Sequence, residues 1–212
     1  SRLYQLNRLF LLALKVDHAI EFGAREIEAG RKPVFVLENT LEVTLKEIIT
    51  DRFDDREAGT GDGGDEAAEA ASAGPAPTGE YPPMTFRDAL ARVLDRMMSY
   101  TRRDRYGNLV RHPITDERLL EMVQRIAADI ERYPDLPLSP LDSVRLALQA
   151  RGFRVGELSG RSFQVEWVEK PDGRAMRVRP RSAENRVDTV FRFNTDVYQG
   201  LIVTRSGSTG LS

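Results

Sequence analysis

Apolar residues recur at helical spacing over the first part of the chain and then form a short continuous run. An apolar stripe over residues 7–29 predicts one amphipathic helix, which Gly30 ends. The four apolar residues Val34–Leu37 follow and predict a strand buried on both faces. Helical spacing resumes over residues 40–53. Helix, strand and helix in succession indicate an α/β unit.

A second set of periodic segments begins near residue 84. Thr85, with Asp88 three positions later, is typical of a helix N-cap and predicts a helix to about residue 100. Thr115 is the expected cap of a helix over residues 116–132, and Pro140 begins a helix that reaches residue 150. The remaining pattern predicts a strand at 153–158, a β-hairpin at 163–179 and a helix at 183–193.

The final residues, 198–212, combine a strand pattern with a loop of small and hydroxylated residues. The aliphatic run 201–203 predicts a buried parallel strand. Glycines in the loop would let backbone N–H groups approach a phosphate, while its hydroxyl groups and one arginine add donors. These residues alone favour a phosphate-binding loop and a glycine-rich turn at a chain end about equally. A loop of this kind directly after a strand also suggests that the chain is cut from a longer one.

Residues 54–80 have a different composition from the rest of the chain. They carry eight carboxylates and one arginine, with almost nothing apolar to bury. This composition is typical of a disordered insertion. An acidic loop could mimic phosphate near a nucleic-acid surface, but we favour an inert solvated insertion.

Two arginine clusters are candidate polyanion contacts. Residues 102–106 (RRDRY) could grip a phosphate backbone, or they could form a solvated helix end whose cations favour the helix C-terminus; we favour the helix end. The predicted hairpin carries Arg174, Arg177, Arg179 and Arg181 on its second strand. This ladder suits a polyanion, although glutamates on the facing strand could neutralise part of it.

Composition narrows the functional classes. The chain of 212 residues is 41% hydrophobic, which is enough for one substantial core, and its net charge of −2 restricts any nucleic-acid contact to a local patch. The absence of cysteine excludes disulfides and thiolate metal sites, and His18 and His112 lack metal-ligand spacing. No apolar run has the length of a membrane span and no signal peptide is evident, so we expect no membrane partner and a cytoplasmic location.

Three blocks of sequence resemble the second motor lobe of strawberry notch-type helicase-like proteins of superfamily 2. They are residues 30–42 (GRKPVFVLENTLE), residues 136–142 (LPLSPLD) with 155–161 (VGELSGR), and residues 193–212. The resemblance implies an α/β fold, a RecA-like lobe with a mostly parallel sheet flanked by helices, a helical insertion and a β-hairpin. It divides the chain into the first part of the lobe at 1–53, a disordered acidic insertion at 54–83, inserted helices at 84–133, and the remainder at 134–212, truncated after motif V.

The resemblance also implies roles for individual residues. Those expected to bind the nucleic-acid backbone are Glu38, Asn39 and Thr40 in motif IV, Ser159, Gly160 and Arg161 in motif IVa, and Thr204, Arg205 and Ser206 in motif V. Those expected to bind ATP are Gly207, Ser208, Thr209, Gly210 and Ser212. No catalytic or metal-binding residue is assigned.

The resemblance implies that this chain is one of the two lobes of an ATP-dependent motor. The full-length parent would use ATP and Mg²⁺, act on nucleic acid, DNA more readily than RNA, and place this lobe against a first RecA-like lobe of the same chain. The sequence contains no G-x-x-x-x-G-K-[ST] phosphate loop, no acidic Walker B strand and no motif VI arginines, so this fragment should not hydrolyse ATP alone. The alternative is a non-motor interaction module of RecA-like fold that binds protein or nucleic acid.

Overall fold

The structure, a computed structural model, describes residues 2–37, 42–50, 78–171, 173–181 and 185–204. The chain divides into two compact units. Residues 1–83 and 139–212 form the first, which we call the sheet unit, and residues 84–138 form the second, the hairpin unit. None of the helices among the described residues has the length and apolar character needed to cross a lipid bilayer.

The sheet unit is a mixed α/β fold with a parallel sheet flanked by helices, which confirms the predicted fold class at this level. Its described helices are α1 (Arg2–Ala13), α2 (Val16–Glu28), α3 (Glu42–Thr50), α6 (Pro140–Ala150) and α7 (Arg186–Asn194). Its described strands are β1 (Val34–Leu37), β2 (Gly79–Tyr81), β5 (Val155–Leu158), β6 (Phe163–Lys170), β7 (Gly173–Pro180) and β8 (Gly200–Thr204). The hairpin unit contains α4 (Phe86–Met97), β3 (Ser99–Arg103), β4 (Leu109–Pro113) and α5 (Glu117–Glu131).

The parallel sheet has the strand order β1-β8-β5. Strand β8 lies in the centre and is buried at all five positions, as its continuous apolar run predicts. Leu37 of β1 pairs with Thr204 of β8, and Leu158 of β5 pairs with Val203. The three strands therefore end within one residue of each other at the same edge of the sheet.

Helices cover both faces of this sheet. The cluster on one face combines side chains of α2 and α6 with the strands, namely Val16, Ala24, Leu141, Val144, Leu148, Val155 and Ile202. On the other face, Val190 and Phe193 of α7 pack against Leu158, Leu201 and Val203. A Cβ at Gly156 would lie only 2.5 Å from the ring of Tyr198, so glycine at this position permits the close approach.

The predicted single helix at residues 7–29 is wrong, because the chain forms α1 and α2 with a break at Leu14 and Lys15. Ala13 and Val16, on either side of the break, are both buried. The apolar stripe therefore continues across the break, and periodicity alone does not reveal it.

Strand β1 differs from the prediction of a strand buried on both faces. Val34 and Val36 are 48% and 77% exposed, whereas Phe35 and Leu37 pack against the core. Strand β1 is an edge strand that pairs only with β8 in the described sheet. An apolar run of four residues does not distinguish such an edge from a central strand.

The predicted hairpin is confirmed, and it belongs to a three-stranded antiparallel sheet of order β2-β7-β6. Strand β2 comprises residues 79–81, which the sequence placed in the disordered insertion 54–83. This correction has an electrostatic reason, because Glu80 of β2 pairs with both Lys170 and Arg177 of the hairpin. The sequence of β2 itself has no apolar alternation to reveal it.

The hairpin unit confirms two predicted helices and corrects the segment between them. Helix α4 begins with the predicted capping box of Thr85 and Asp88, while α5 is capped by Asp116 rather than Thr115. Helix α4 ends at Met97, and the RRDRY cluster lies in the antiparallel hairpin β3–β4. Our preference for a solvated helix end at this cluster is therefore wrong.

Candidate functional site at the carboxyl edge of the parallel sheet

The predicted site residues follow the carboxyl ends of the three parallel strands. Residues 38–40 come directly after β1, residues 159–161 after β5, and residues 205–212 after β8. The strand register brings the starting points of these segments to one edge. Glu38, Asn39, Thr40 and Arg205 to Ser212 lie outside the described residues, so the structure places Ser159, Gly160, Arg161 and Thr204 of the predicted set.

Thr204 is the last residue of the central strand β8, at this edge of the sheet. Its side chain is fully buried, and its Oγ1 donates to the carbonyl oxygen of Leu158 at 3.5 Å. The hydroxyl group thus links the end of β8 to the end of β5. Thr204 is therefore buried at the end of the strand, and its hydroxyl group does not face solvent.

Arg161 is held by a buried ion network rather than pointing to solvent. It is 5% exposed, and its NH1 donates to Asp142 Oδ2 at 2.7 Å. Its Nε and NH2 donate to the two carboxylate oxygens of Glu157, each at 2.7 Å. This bidentate geometry is the strongest arrangement available to an arginine and a carboxylate.

Asp142 connects several elements through the same network. Its Oδ2 accepts from Ser139 Oγ at 2.7 Å and from the backbone N–H of Val165 at 3.0 Å, and its Oδ1 accepts from Arg145 NH2 at 3.1 Å. Because Asp142 lies in the first turn of α6, the helix dipole also favours its negative charge. The network therefore fixes the start of α6 against β6 and against the turn after β5.

Two further guanidinium groups and a third carboxylate border this network. Arg181 lies 3.7 Å from Glu157 Oε1, and Arg145 lies 3.1 Å from Asp142 Oδ1. Glu42 Oε1 accepts from the backbone N–H of Ser162 at 2.8 Å, directly after Arg161. Ser159 Oγ donates to Glu157, so that the turn itself is tied to the network.

The ionised forms of this network are mutually stabilised. Burial raises the pKa of Asp142, but the charge of Arg161 and the hydrogen bonds from Arg161 and Ser139 outweigh burial, and the pKa lies below its usual range. Burial lowers the pKa of Arg161, while Asp142 and Glu157 raise it above its usual range. Both groups are charged at neutral pH.

The network changes the role we assign to one predicted site residue. Because the donors of Arg161 are used by Asp142 and Glu157, we treat Arg161 as the residue that positions the 159–160 turn, and we do not carry it into the proposed contact surface. Sequence reasoning missed Asp142 and Glu157. A signal existed, since Glu157 interrupts the apolar strand Val155–Leu158 and a buried carboxylate requires a partner.

The arginine ladder of β7 is neutralised along its length. Each of the four arginines, three on β7 and Arg181 directly after it, lies within ion-pair distance of a glutamate: Arg174 of Glu169, Arg177 of Glu80, Arg179 of Glu166 and Arg181 of Glu157. Hydrogen bonds from Lys170 and Arg177 lower the pKa of Glu80 to about 2. The ladder therefore contributes to the antiparallel sheet and does not offer free cations to a polyanion.

Comparison of the chain with protein-family models, with curated proteins and with solved structures gave no match. In the part of the chain that the structure describes, no group of three or more histidine, aspartate and glutamate side chains is arranged to hold a metal ion. The geometry of the sheet edge is therefore what bears on the function of this chain.

Proposed function

We propose that this chain is the second RecA-like lobe of a cytoplasmic, superfamily 2, nucleic-acid-dependent ATPase. In this proposal the carboxyl edge of the parallel sheet contacts the backbone of a nucleic-acid strand, DNA more readily than RNA. The lobe contributes to ATP binding in a longer protein and does not hydrolyse ATP alone. A first lobe of the same longer protein would supply the phosphate loop and the ligands of Mg²⁺.

One observation carries the proposal: three parallel strands end at the same edge, and each is followed by a segment rich in small, hydroxylated or charged residues. Open α/β sheets bind their ligands at the carboxyl ends of the strands. The resemblance to motor lobes concerns these same three segments. These three segments lie far apart in the sequence, but all of them begin at the same edge of the sheet.

The proposed contacts divide between the nucleic acid and the nucleotide. Arg205 and Ser206 follow the central strand and are the proposed phosphate contacts, together with the 159–160 turn that the Arg161 network holds in place. The glycines and hydroxyls of residues 207–212 are the proposed ATP contacts. Because one loop would reach both ligands, the nucleotide state could alter the grip on the strand.

We expect Arg205→Ala, made in the longer protein, to weaken the stimulation of ATP hydrolysis by nucleic acid. Loss of one hydrogen bond to a charged phosphate should raise the strand concentration needed for half-maximal stimulation about tenfold. Steady-state ATPase assays with increasing oligonucleotide measure this change. Arg179→Gln is the matched control, because it also removes one positive charge but from an arginine already paired with Glu166. Unchanged stimulation in Arg205→Ala argues against the proposal.

A further inference from the structure

The hairpin β3–β4 presents an unusual set of side chains on a short two-stranded ribbon. Its register pairs Tyr100 with His112 and Arg102 with Val110, so these four side chains share one face. Tyr100 is 54% exposed and Val110 is 38% exposed. This face is therefore open to solvent within the hairpin unit.

Three arginines of this hairpin lack, among the described residues, the neutralising partners found on β7. Arg102, Arg103 and Arg105 are exposed, and no acidic side chain among the described residues lies within ion-pair distance of them. Arg103 NH1 donates to the carbonyl oxygen of Gly107 at 2.9 Å, which orients this guanidinium at the turn. Within the part of the chain that the structure describes, a polyanion can therefore bind these guanidinium groups without first breaking an ion pair.

The acidic residue within the cluster, Asp104, is occupied by the turn itself. Its Oδ1 accepts from the backbone N–H groups of Tyr106 and Asn108, both at 2.8 Å, and its Oδ2 accepts from Asn108 Nδ2 at 3.2 Å. This is the local bonding by which aspartate stabilises turns. Asp104 therefore shapes the tip of the hairpin and does not form an ion pair with the neighbouring guanidinium groups.

Aromatic rings accompany these cations. The rings of Tyr100 and His112 stack with centroids 5.4 Å apart and an interplanar angle of 25°. At the tip, Tyr106 is 73% exposed, and the guanidinium carbon of Arg105 lies 4.8 Å from the centre of its ring. Exposed rings beside guanidinium groups are the combination that binds single-stranded nucleic acid, because bases stack on the rings while phosphates contact the cations.

We propose that the β3–β4 hairpin is a second nucleic-acid contact of this chain and that it binds a single strand. Its guanidinium groups contact phosphates, and the rings of Tyr106 and Tyr100 receive unstacked bases. A single strand fits better than a duplex, since base faces are available for stacking only where bases are unpaired. The proposal goes beyond the proposed motor function and does not depend on it, because the hairpin site is built from its own residues.

Fluorescence anisotropy of a labelled oligothymidylate, titrated with the chain, tests this proposal. We expect the double variant Arg102→Gln/Arg105→Gln to lose affinity about tenfold and to reduce the slope of log K against log salt by about 1.4, the value for two lost phosphate contacts on a single strand. Tyr106→Leu should weaken binding about fivefold or more with little change in that slope, because the ring contributes stacking rather than charge. The affinity of the chain for a polyglutamate probe should be unchanged in Tyr106→Leu.

The double variant Arg174→Gln/Arg179→Gln is the matched control. It removes the same charge from the other hairpin, where both arginines are ion-paired, and should leave affinity within about twofold. Arg105→Gln alone changes a residue in the turn outside the strand ladder, and a loss of affinity in this variant with an unchanged thermal-unfolding curve excludes an effect of unfolding. Equal losses in the two double variants, or equal effects of Tyr106→Leu on oligothymidylate and polyglutamate, would overturn the proposal.

Arg205→Ala separates this site from the sheet edge. Loss of binding in Arg102→Gln/Arg105→Gln with none in Arg205→Ala supports the hairpin contact and counts against the sheet edge. Loss of binding only in Arg205→Ala overturns the hairpin contact while supporting the sheet edge.

Discussion

Arg161→Ala should lower the free energy of unfolding by about 3–5 kcal/mol, the usual cost of removing one partner from a buried ion pair. The substitution leaves Asp142 and Glu157 buried with their main counter-charge gone, since Arg161 donates to both carboxylates. Chemical denaturation followed by circular dichroism measures the loss. Arg174→Gln, in an exposed pair with Glu169, should change stability little.

The effect of Arg161→Ala should depend on pH. The native pKa of Asp142 is lowered, so its contribution to wild-type stability is present above the unfolded value of about 3.9 and is lost as the pH falls through the native value. Without Arg161 the same carboxyl group is more easily protonated. The difference in stability between wild type and variant should therefore shrink below about pH 4. A constant difference across this range would contradict the assigned role of Asp142.

Ile202→Ala should lower the free energy of unfolding by about 2–5 kcal/mol, the range for truncating a large aliphatic side chain in a packed core. Ile202 is fully buried in the central strand, where α2 and α6 pack over it. Val36→Ala is the control on the same sheet, because Val36 is 77% exposed and its truncation should change stability by less than about 0.5 kcal/mol. Comparable losses in the two variants would show that β8 is not the centre of the core.

Elements specified by local chemistry were predictable from the sequence. The capping box of Thr85 and Asp88, proline at the start of α6 and the apolar run of β8 all depend on near neighbours. The RRDRY segment was not predictable in this way, because Arg102 to Tyr106 carries no apolar alternation and follows a helix. Its structure depends on Asp104 accepting backbone hydrogen bonds within the turn.

The candidate site was only partly predictable for a different reason. The convergence of the three strand ends follows from parallel pairing and can be expected from the strand patterns alone. The ion network could not be expected, because the residues that share Arg161 are far apart in the chain, with Asp142 on α6 and Glu157 on β5. The sequence shows that Arg161 is cationic, but its hydrogen bonds to Asp142 and Glu157 show that it has a structural role.

The two arginine-rich hairpins show that composition alone does not identify a surface that binds a polyanion. Both carry several arginines; from the sequence, the ladder suited a polyanion in spite of the facing glutamates, whereas a solvated helix end was favoured at the RRDRY cluster. The structure distinguishes them by pairing, since glutamates neutralise the ladder of β7 whereas Asp104 is engaged by the turn of β3–β4. Charge that is accessible, rather than charge that is present, determines the candidate surface.

Amide NMR of the isotope-labelled chain during titration with an oligothymidylate tests the proposed contact at the sheet edge most directly. The account predicts shifts of the backbone amides of Ser159 and Gly160 and of residues 38–40 and 205–206, at the segments that follow the three parallel strands. Shifts confined to residues away from these segments, at strand concentrations that saturate binding, would contradict it.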